Sequence, residues 1–357
     1  MPILASILTL IFGCLAALIA AGFLYQWIGA WRDRIRFAGD GRWIQLEQGG
    51  SLYLHEQGSG GPTVLFESGI GATNLNWRHI QKAISEHHHT ASYDRAGLGW
   101  SSPAKSARTP ANIATELHAL LQTAGIKPPF ILVGHSFGGL VMRRYALLFP
   151  QEVAGIVLVD PMRCEEWPPL DPAKQATLDR GVKMTGYAVP IAYLGLARLG
   201  VTSLLCRSGR LCAFLARAAG NSGKHVLARV KDEVDKMPKE IWPIVAAHWS
   251  RPSYYKGIAS HIAAVPDSVR EMLATEPISG TPITVLTPGN SSPLSQAQLN
   301  AIGSNVRQLI APASAHWIHL DQPQLVLDSI REVLSTATAQ PVSPEVSLPL
   351  ITPSTVR

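Results

Sequence analysis

The stretch that decides the fold is FILVGHSFGG, at residues 130–139. Apolar residues typical of a buried strand lead directly into the pattern G-x-S-x-G, and a helical pattern over residues 140–148 follows it. A serine at such a junction lies on a tight turn with its hydroxyl pushed clear of the backbone, and Gly134 and Gly138 remove side chains that would clash there. The start of the helix directs N–H groups towards charge that develops on a substrate. The stretch therefore predicts that Ser136 is a nucleophile.

Short apolar runs on both sides of this stretch predict a sheet of eight strands. Two alternating runs around Gly49 and Gly50 predict a β-hairpin. The other runs are continuously apolar, as in strands buried on both faces of a parallel sheet. Helical patterns separate them, and this alternation indicates a mostly parallel sheet with flanking crossover helices, an α/β fold. The predicted strands cover residues 42–47, 52–56, 63–66, 90–93, 130–133, 153–159, 283–286 and 305–310.

The alternation of strands and helices is interrupted after Asp160. Residues 161–280 are rich in helical pattern, and we expect them to form a cap inserted into a core made of residues 37–160 and 281–335. An amphipathic helix with Pro323 near its first turn closes this core. Residues 336–357 are rich in Pro, Ser and Thr without an apolar period, which predicts a disordered tail.

The N-terminal segment has the properties of a transmembrane helix. Residues 1–31 carry no charged side chain, and the apolar run over residues 3–24 is long enough to cross about 30 Å of hydrocarbon. Aromatic residues backed by arginines follow, as at the interfacial end of a spanning helix: Tyr25, Trp27, Trp31, Arg32, Arg34 and Arg36. A cleaved signal peptide fits less well, because a basic n-region and an A-x-A site are missing. We therefore expect residues 1–36 to form a single-pass anchor in the cell membrane. The position of the arginines favours a cytoplasmic catalytic domain.

The composition narrows the set of partners. Hydrophobic residues make up 46% of the chain and charged residues 16%, which suffices for a large core and an apolar anchor. The net charge of +6 is modest and the basic residues are scattered or juxtamembrane, so a nucleic-acid partner is not expected. No spacing of Cys and His is typical of zinc, and we expect neither a metal nor a cofactor. The tract at residues 87–89, three histidines, is typical of a polar surface turn. The sequence leaves open the oligomeric state and whether Cys206 pairs with Cys212.

Three further segments complete a pattern that extends over roughly residues 42–335. They are LFESGIG at 65–71, YDRAGLGWS at 93–101 and AHWIHLDQP at 315–323. Together with G-x-S-x-G, and in this order, they resemble the α/β-hydrolase superfamily, in particular its cap-bearing serine hydrolases of the esterase, lipase and aminopeptidase-like branch. The resemblance implies the α/β-hydrolase fold, with a mostly parallel eight-stranded sheet, flanking helices and an inserted helical cap.

The resemblance also implies roles for individual residues. Ser136 is the nucleophile, and His316 is the base that takes its proton, since histidine is the side chain best poised for that near neutral pH. His319 is the competing choice for the base, with local hydrogen bonding as its other role. The oxyanion hole is expected to use the backbone N–H groups of Phe137 and of Ile70, which follows the motif residue Gly69.

The chain departs from the family pattern beside this oxyanion loop. Ser68 stands where the family usually has His, so the residues that brace the loop are left open. Glu67 is either a structural, hydrogen-bonding carboxylate or a substrate contact. Asp94 and Arg95 are expected to brace their own loop.

The catalytic acid is inferred by elimination. Most resembling enzymes place it after the strand that follows the cap, but residues 277–319 contain no acidic side chain. A subset of the superfamily places it at the end of the strand after the nucleophile helix, where Asp160 stands. The alternative is that Asp160 only turns the chain before Pro161. Glu165 and Glu166 are the fallback acids.

The expected function is that of a serine hydrolase that cleaves carboxylic esters of apolar small molecules or lipids through an acyl-enzyme. Amide or proline-iminopeptidase-like hydrolysis is the alternative, and an inactive binding module on the same fold is the alternative of another class. A serine nucleophile argues against epoxide hydrolase and dehalogenase chemistry, which resembling families perform with Asp. Eight apolar cap residues suggest either a substrate pocket or the cap's own core: Tyr187, Ile191, Tyr193, Leu194, Leu204, Leu205, Trp242 and Trp249. The apolar run at residues 186–205 is either buried cap core or a segment that covers the pocket or enters the membrane interface.

Overall fold

The computed structural model describes residues 2–167, 172–205, 232 and 234–339. Eight strands form one sheet in the order β1-β2-β4-β3-β5-β6-β7-β8. The pairs β1–β2 and β2–β4 are antiparallel, and every other neighbouring pair is parallel. The predicted α/β-hydrolase sheet is thereby confirmed, with each strand end within two residues of its expected position. The strands are β1 Arg42–Gln45, β2 Ser51–Gln57, β3 Thr63–Glu67, β4 Thr90–Asp94, β5 Phe130–His135, β6 Val153–Val159, β7 Ile283–Pro288 and β8 Val306–Ala311.

Helices cover both faces of this sheet because its strands are apolar on both sides. On β5, Leu132 enters one buried cluster while Ile131 and Val133 enter another. The first cluster takes side chains from α3, α4 and α10, and the second from α2 and α12. These helices are α2 Arg78–Ile84, α3 Pro110–Ala124, α4 Phe137–Leu148, α10 Gln296–Ile302 and α12 Pro323–Ala339.

The segment between β6 and β7 is the helical insertion that the sequence predicts. Its long helices are α5 Pro172–Tyr193, α6 Leu196–Leu205, α7 Trp242–Trp249, α8 Pro252–Ala263 and α9 Val265–Leu273. Helix α5 packs along α8, and α6 packs on α7. Cys206 and Cys212 lie outside the described residues. The closing helix α12 ends at Ala339, four residues past the predicted end of the core, and the rest of the expected tail is not among the described residues.

The chain begins with a single helix, α1 Pro2–Phe37, of 36 residues. Its rise of 1.5 Å per residue gives a length of roughly 54 Å. Among the described residues it is the one helix that is long and apolar enough to cross a membrane, by length and composition, a test that a signal sequence also passes. The side chains of residues 3–21 are all exposed.

Candidate active site

Ser136 occupies the sharp turn between β5 and α4. Its backbone angles are φ 54° and ψ −121°, a conformation that residues with a Cβ rarely adopt. The Ser136 N–H donates to the carbonyl of Val159 at 3.0 Å, and the Ser136 carbonyl accepts from the N–H groups of Gly139 and Met162. The strained turn is therefore held by β6 on one side and by its own helix on the other.

The motif glycines are required by close backbone contacts. A Cβ at Gly134 would lie 2.6 Å from the carbonyl oxygen of Gly138, and a Cβ at Gly138 would lie 2.6 Å from the carbonyl oxygens of Glu67 and Ser68. The loop after β3 also passes close to the serine, since a Cβ at Gly69 would lie 3.4 Å from the Cβ of Ser136. Side chains at these glycines would push the turn and the loop apart.

Asp160 and His316 form a pair beside the serine turn. Asp160 directly follows β6, has φ 41°, and donates its N–H to the carbonyl of Leu286 at 2.8 Å. His316 lies in the loop between β8 and the short helix α11 Ile318–Asp321. Nδ1 of His316 is 2.7 Å from Oδ2 of Asp160. A carboxylate at that distance assigns the ring proton to Nδ1 and leaves Nε2 able to accept another proton.

One cavity of about 510 Å³ brings the predicted site residues together. Ser136, Asp160 and His316 line it, together with Ile70 and Phe137. Phe137 is the first residue of α4, so its N–H has no acceptor within the helix. The remaining lining residues are Pro161, Met162, Arg163, Glu166, Trp167, Leu178, Ile262, Val265, Ser291 and Ser292.

The apolar cap residues named from the sequence do not line this cavity. Leu205 and Trp242 are buried in the core of the cap, whereas Tyr187, Ile191 and Tyr193 are exposed on its surface. The cap's apolar contribution to the cavity comes instead from other positions, such as Trp167, Leu178 and Ile262. Apolar content alone did not distinguish these three environments, because it does not report the direction in which each side chain points.

Arg95 braces the oxyanion loop. The sequence led instead to the prediction that Arg95 braces the loop in which it lies. The buried guanidinium donates to the carbonyl of Ser68 at 2.7 Å and also to that of Gly69. Its Cζ lies 5.5 Å from the ring centroid of Phe137. One side chain thus contacts both segments from which the oxyanion N–H groups are expected. Asp94 does brace its own loop, since it accepts from the N–H of Trp100 at 2.9 Å.

Glu67 is a structural carboxylate within this network. Its Oε1 is 3.1 Å from Nε of Arg95 and accepts the N–H of Ser68, while Tyr93 donates its hydroxyl to Oε2. Burial raises the pKa of the Glu67 carboxyl, and the Arg95 guanidinium opposes that rise. Ser68, in the place of the family's usual His, donates its hydroxyl to the carbonyl of Thr73 within the loop. The loop is therefore braced by Arg95 and Glu67 from beneath and by Ser68 from within.

His135, which directly precedes the nucleophile, contacts the backbone of the proposed base. Its Nε2 is 2.9 Å from the carbonyl oxygen of His316, and its ring lies 4.9 Å from that of Trp317. Burial holds the pKa of His135 well below its ordinary value, so the ring is neutral and its Nε2 carries the donated proton. Sequence reasoning missed this residue because the x of G-x-S-x-G carries no chemical signal of its own.

His319, the competing base, is placed outside the cavity. It is buried and stacks on Trp77 with ring centroids 4.6 Å apart. Neither ring nitrogen has a hydrogen-bond partner among the described residues, so the expected local hydrogen bonding is not found there. Burial, together with a smaller effect of the nearby His316, lowers the pKa of His319 to about 3, while Asp321 opposes that shift. A ring that is neutral, buried and turned onto a tryptophan is not poised to serve Ser136.

The carboxylate paired with His316 is that of Asp160, not that of either fallback acid. Glu165 and Glu166 are exposed, and Glu166 contacts Arg163 at 3.2 Å. Arg163 in turn donates to the carbonyl of Ser292 at 2.6 Å. Over the described ranges, no group of three or more His, Cys, Asp or Glu side chains is arranged to hold a metal ion.

The fold agrees with comparisons to known proteins. A family model described as the alpha/beta hydrolase fold matches residues 62–182. The chain is 36% identical over 107 residues to the uncharacterized protein YqjL of Bacillus subtilis, a match that covers 30% of this chain and 42% of YqjL. The chain spans about half or less of the length of the curated relatives it matches.

Solved structures share the architecture over most of the chain. The epoxide hydrolase CorEH superimposes with a TM-score of 0.61 at 18% identity, covering 83% of this chain and 98% of that one. A thermophilic esterase from Thermogutta terrifontis gives a TM-score of 0.57 at 19% identity, with coverage of 83% and 98%. At such identities the likeness concerns the fold alone. The chain has the α/β-hydrolase fold, and its residues 62–182 match the family model of that description.

Proposed function

We propose that this protein is a serine hydrolase that cleaves carboxylic esters of apolar small molecules or lipids. The observation that carries the proposal is the 2.7 Å contact between His316 Nδ1 and Asp160 Oδ2 in the cavity that Ser136 also lines. A serine, a histidine and a carboxylate that meet in one cavity are the parts that nucleophilic acyl transfer needs.

In the proposed reaction, Nε2 of His316 takes the hydroxyl proton of Ser136 while the serine oxygen attacks the ester carbonyl carbon. The N–H groups of Ile70 and Phe137 donate hydrogen bonds to the oxyanion that forms, and Asp160 stabilises the imidazolium. The imidazolium then protonates the leaving alcohol, which leaves an acyl group on the serine. A water molecule that gives its proton to His316 hydrolyses this acyl-enzyme and restores the serine hydroxyl.

Ester hydrolysis is favoured over epoxide opening by the nucleophile itself. One solved neighbour is named an epoxide hydrolase and another an esterase. In this chain the turn carries Ser136, whose attack on a carbonyl carbon yields an acyl-enzyme. The apolar wall formed by Trp167, Leu178 and Ile262 suits an apolar acyl or alcohol group.

Amide hydrolysis is the second candidate, and Glu166 is the observation that favours it. Its carboxylate borders the cavity and is exposed, so it is available to an ammonium group of an aminoacyl substrate. The partner Arg163, which holds Glu166, balances that charge in the free protein. A chain-length series of p-nitrophenyl esters, run beside aminoacyl anilides, separates the two activities.

The proposal is tested with three variants of the full chain. Ser136→Ala and His316→Ala should each lower ester turnover by several orders of magnitude, because triad members act as a unit. The matched control His319→Phe should retain turnover. A fluorophosphonate probe should label the parent protein and fail to label Ser136→Ala. An unlabelled parent protein would point to an inactive binding module, and equal losses at both histidines would overturn the choice of His316.

The proposal includes the placement of the enzyme in the cell. Residues 1–36 are a single-pass membrane anchor with a juxtamembrane segment, residues 161–280 are the cap over the site, and the catalytic domain faces the cytoplasm. The long apolar helix α1 and the arginines that follow its apolar run support this placement. Extraction of membranes at alkaline pH should leave the protein in the pellet, and release into the supernatant would contradict the anchor.

A further inference from the structure

Helix α1 is packed against the cap at its C-terminal half. A Cβ on Gly22 would lie 2.6 Å from the carbonyl oxygen of Leu194, and a Cβ on Gly195 would lie 2.6 Å from the ring of Tyr25. Glycines on both sides thus allow the helix to approach the turn between α5 and α6 closely. This contact places the α5–α6 turn at the level of residues 22–25 along the helix.

Buried polar contacts hold the helix in this position. Nη1 of Arg198 lies 2.5 Å from Oδ2 of Asp33, and Nε of Arg198 donates to Oε1 of Gln26 at 3.1 Å. Gln26 donates in turn to the carbonyl of Ser250 at 3.0 Å. Gln26 is 5% exposed and Arg198 is 7% exposed, so these bonds are shielded from water. Directional bonds between buried groups specify one orientation of α1 on the cap.

The level of this contact coincides with the expected surface of a membrane. A hydrocarbon core of about 30 Å takes up about 20 helical residues. Counted from Ile3, the apolar run therefore leaves the hydrocarbon close to Gly22. Trp27 and Trp31 follow on exposed faces of the helix, where interfacial aromatic residues belong. The α5–α6 turn lies at the same depth.

The cap presents apolar side chains to the solvent around this turn. On α5, Met184, Tyr187 and Ile191 recur at spacings of three and four residues and so share one face. Their exposed fractions are 48%, 72% and 45%, and Leu196 beyond the turn is 52% exposed. The exposed charged residues of segment 180–205 are both basic, namely Arg180 and Lys183. Apolar and aromatic side chains flanked by basic ones are typical of segments that lie in an anionic membrane interface.

We propose that the exposed apolar face of α5 and the α5–α6 turn inserts into the headgroup boundary of the bilayer that α1 spans. The inference rests on the membrane anchor of the proposed function. It also explains why these apolar side chains are not packed against other parts of the protein, because lipid covers them instead. Leu178 of the same helix lines the active-site cavity, roughly 20 Å along α5 from Ile191. The docked helix therefore joins the bilayer to the wall of the cavity, and substrates that partition into lipid lie close to the site.

The position of the cap is tested with fluorophores that lipids can quench. The full chain, with its four native cysteines replaced by serine, is reconstituted into vesicles of phosphatidylcholine and phosphatidylglycerol. Single variants Ile191→Cys, Ile310→Cys and Leu15→Cys carry an environment-sensitive dye. Ile310 is the matched control, because it is 42% exposed on β8 at the far edge of the sheet, against 45% for Ile191. Brominated phosphatidylcholine then quenches the dyes that touch lipid.

Dyes at positions 15 and 191 should be quenched and the dye at 310 should not. Quenching at 15 without quenching at 191 would overturn the docking of the cap and leave the anchor standing. A lack of quenching at 15 would overturn the anchor and the inference with it. Equal quenching at 191 and 310 would also overturn the inference, since the whole domain would then lie on the lipid.

Activity gives a second readout that separates docking from catalysis. Ile191→Glu should raise the KM for an ester dispersed in these vesicles by roughly fivefold or more, because a carboxylate is repelled from an anionic interface. The same variant should hydrolyse a dissolved short-chain ester like the parent protein, and Ile310→Glu should match the parent on both substrates. Equal KM values for Ile191→Glu and the parent on the dispersed ester would contradict the docking. An inactive parent protein would instead count against the proposed function.

Discussion

His316 and Asp160 are 156 residues apart in the chain and 2.7 Å apart at their side chains. The contact joins the loop after β8 to the end of β6, with the whole cap inserted between the two strands. Asp160 holds a backbone conformation with φ 41°, which β-carbon-bearing residues rarely adopt. Such a conformation persists only where the surroundings hold it, and here the N–H of Asp160 is bonded to Leu286 of β7.

Asp160→Asn tests the role of this carboxylate. The amide keeps the size of the side chain but does not stabilise the imidazolium, and it allows the wrong ring tautomer. We expect the kcat to fall on the order of 10⁴-fold with the KM little changed. Glu165→Gln, an exposed acid in the next turn of the chain, is the matched control and should keep parental turnover. Retention of most activity by a folded Asp160→Asn protein would mean that the acid comes from elsewhere.

Arg95→Met tests the brace of the oxyanion loop. The substitution frees the carbonyls of Ser68 and Gly69 and leaves Glu67 buried without its ion partner, a loss of about 3–5 kcal/mol in the free energy of unfolding. The ester kcat should fall as well, because the loop no longer holds its N–H in place. Adding Glu67→Gln should recover part of the stability and none of the kcat. The measurements are urea unfolding in detergent and turnover of a dissolved ester. Full recovery of turnover by the double variant would contradict the bracing role.

His319 makes stability depend on pH. Burial lowers the pKa of His319 in the folded state to about 3 from 6.5. Between these two pH values the unfolded chain therefore binds the proton more readily than the folded chain does. Stability from this group is therefore complete above pH 6.5 and is lost as the pH falls towards 3. His319→Phe keeps the stack on Trp77 and removes the titration. The midpoint of thermal unfolding, measured by differential scanning calorimetry in detergent, should fall less between pH 7 and pH 4 in the variant than in the parent. Identical pH profiles would show that His319 is accessible to protons in the folded state.

Two truncations separate the parts of α1. Removal of residues 1–21 keeps Gln26 and Asp33 on the cap, whereas removal of residues 1–37 leaves Arg198 without either partner. The first form should no longer be anchored in the membrane and should keep the thermal midpoint of the parent. The second should unfold at a lower temperature. Arg198→Leu in the first form should shift the midpoint in the same direction as the longer truncation. Equal midpoints for both truncations would mean that the second half of α1 contributes no stability.

Local sequence determined the elements that carry the site. The strand, the two glycines and the apolar helix around Ser136 are adjacent in the chain, so their pattern predicts the turn without knowledge of the rest of the fold. The same holds for α1, whose uninterrupted apolar run predicts a long helix. The first two strands were predictable from their alternating pattern. The other six were predictable because strands buried on both faces need continuous apolar runs, and their alternation with helices indicates a parallel sheet.

Tertiary structure decided which polar side chains meet. Elimination within the sequence led to Asp160, but its distance from His316 depends on the order in which β6, β7 and β8 pair. Arg95 was expected to stay within its loop, and only the parallel pairing of β3 with β4 brings it beneath Ser68 and Gly69. His135 carries no motif signal, and its bond to the His316 backbone arises from the same meeting of strand ends.

The surroundings of the cap helices were likewise decided by packing. Tyr187 and Leu205 belong to the same apolar run, yet one is 72% exposed and the other 9% exposed. The run alone left two alternatives, a buried cap core or a segment that covers the pocket or enters the membrane interface. Leu205 packs in a buried cluster with Val234 and Trp242, residues that lie far from it in the sequence, whereas Tyr187 faces outward. Local patterns report periodicity, whereas the direction of each face is set by contacts that the chain makes only once it has folded.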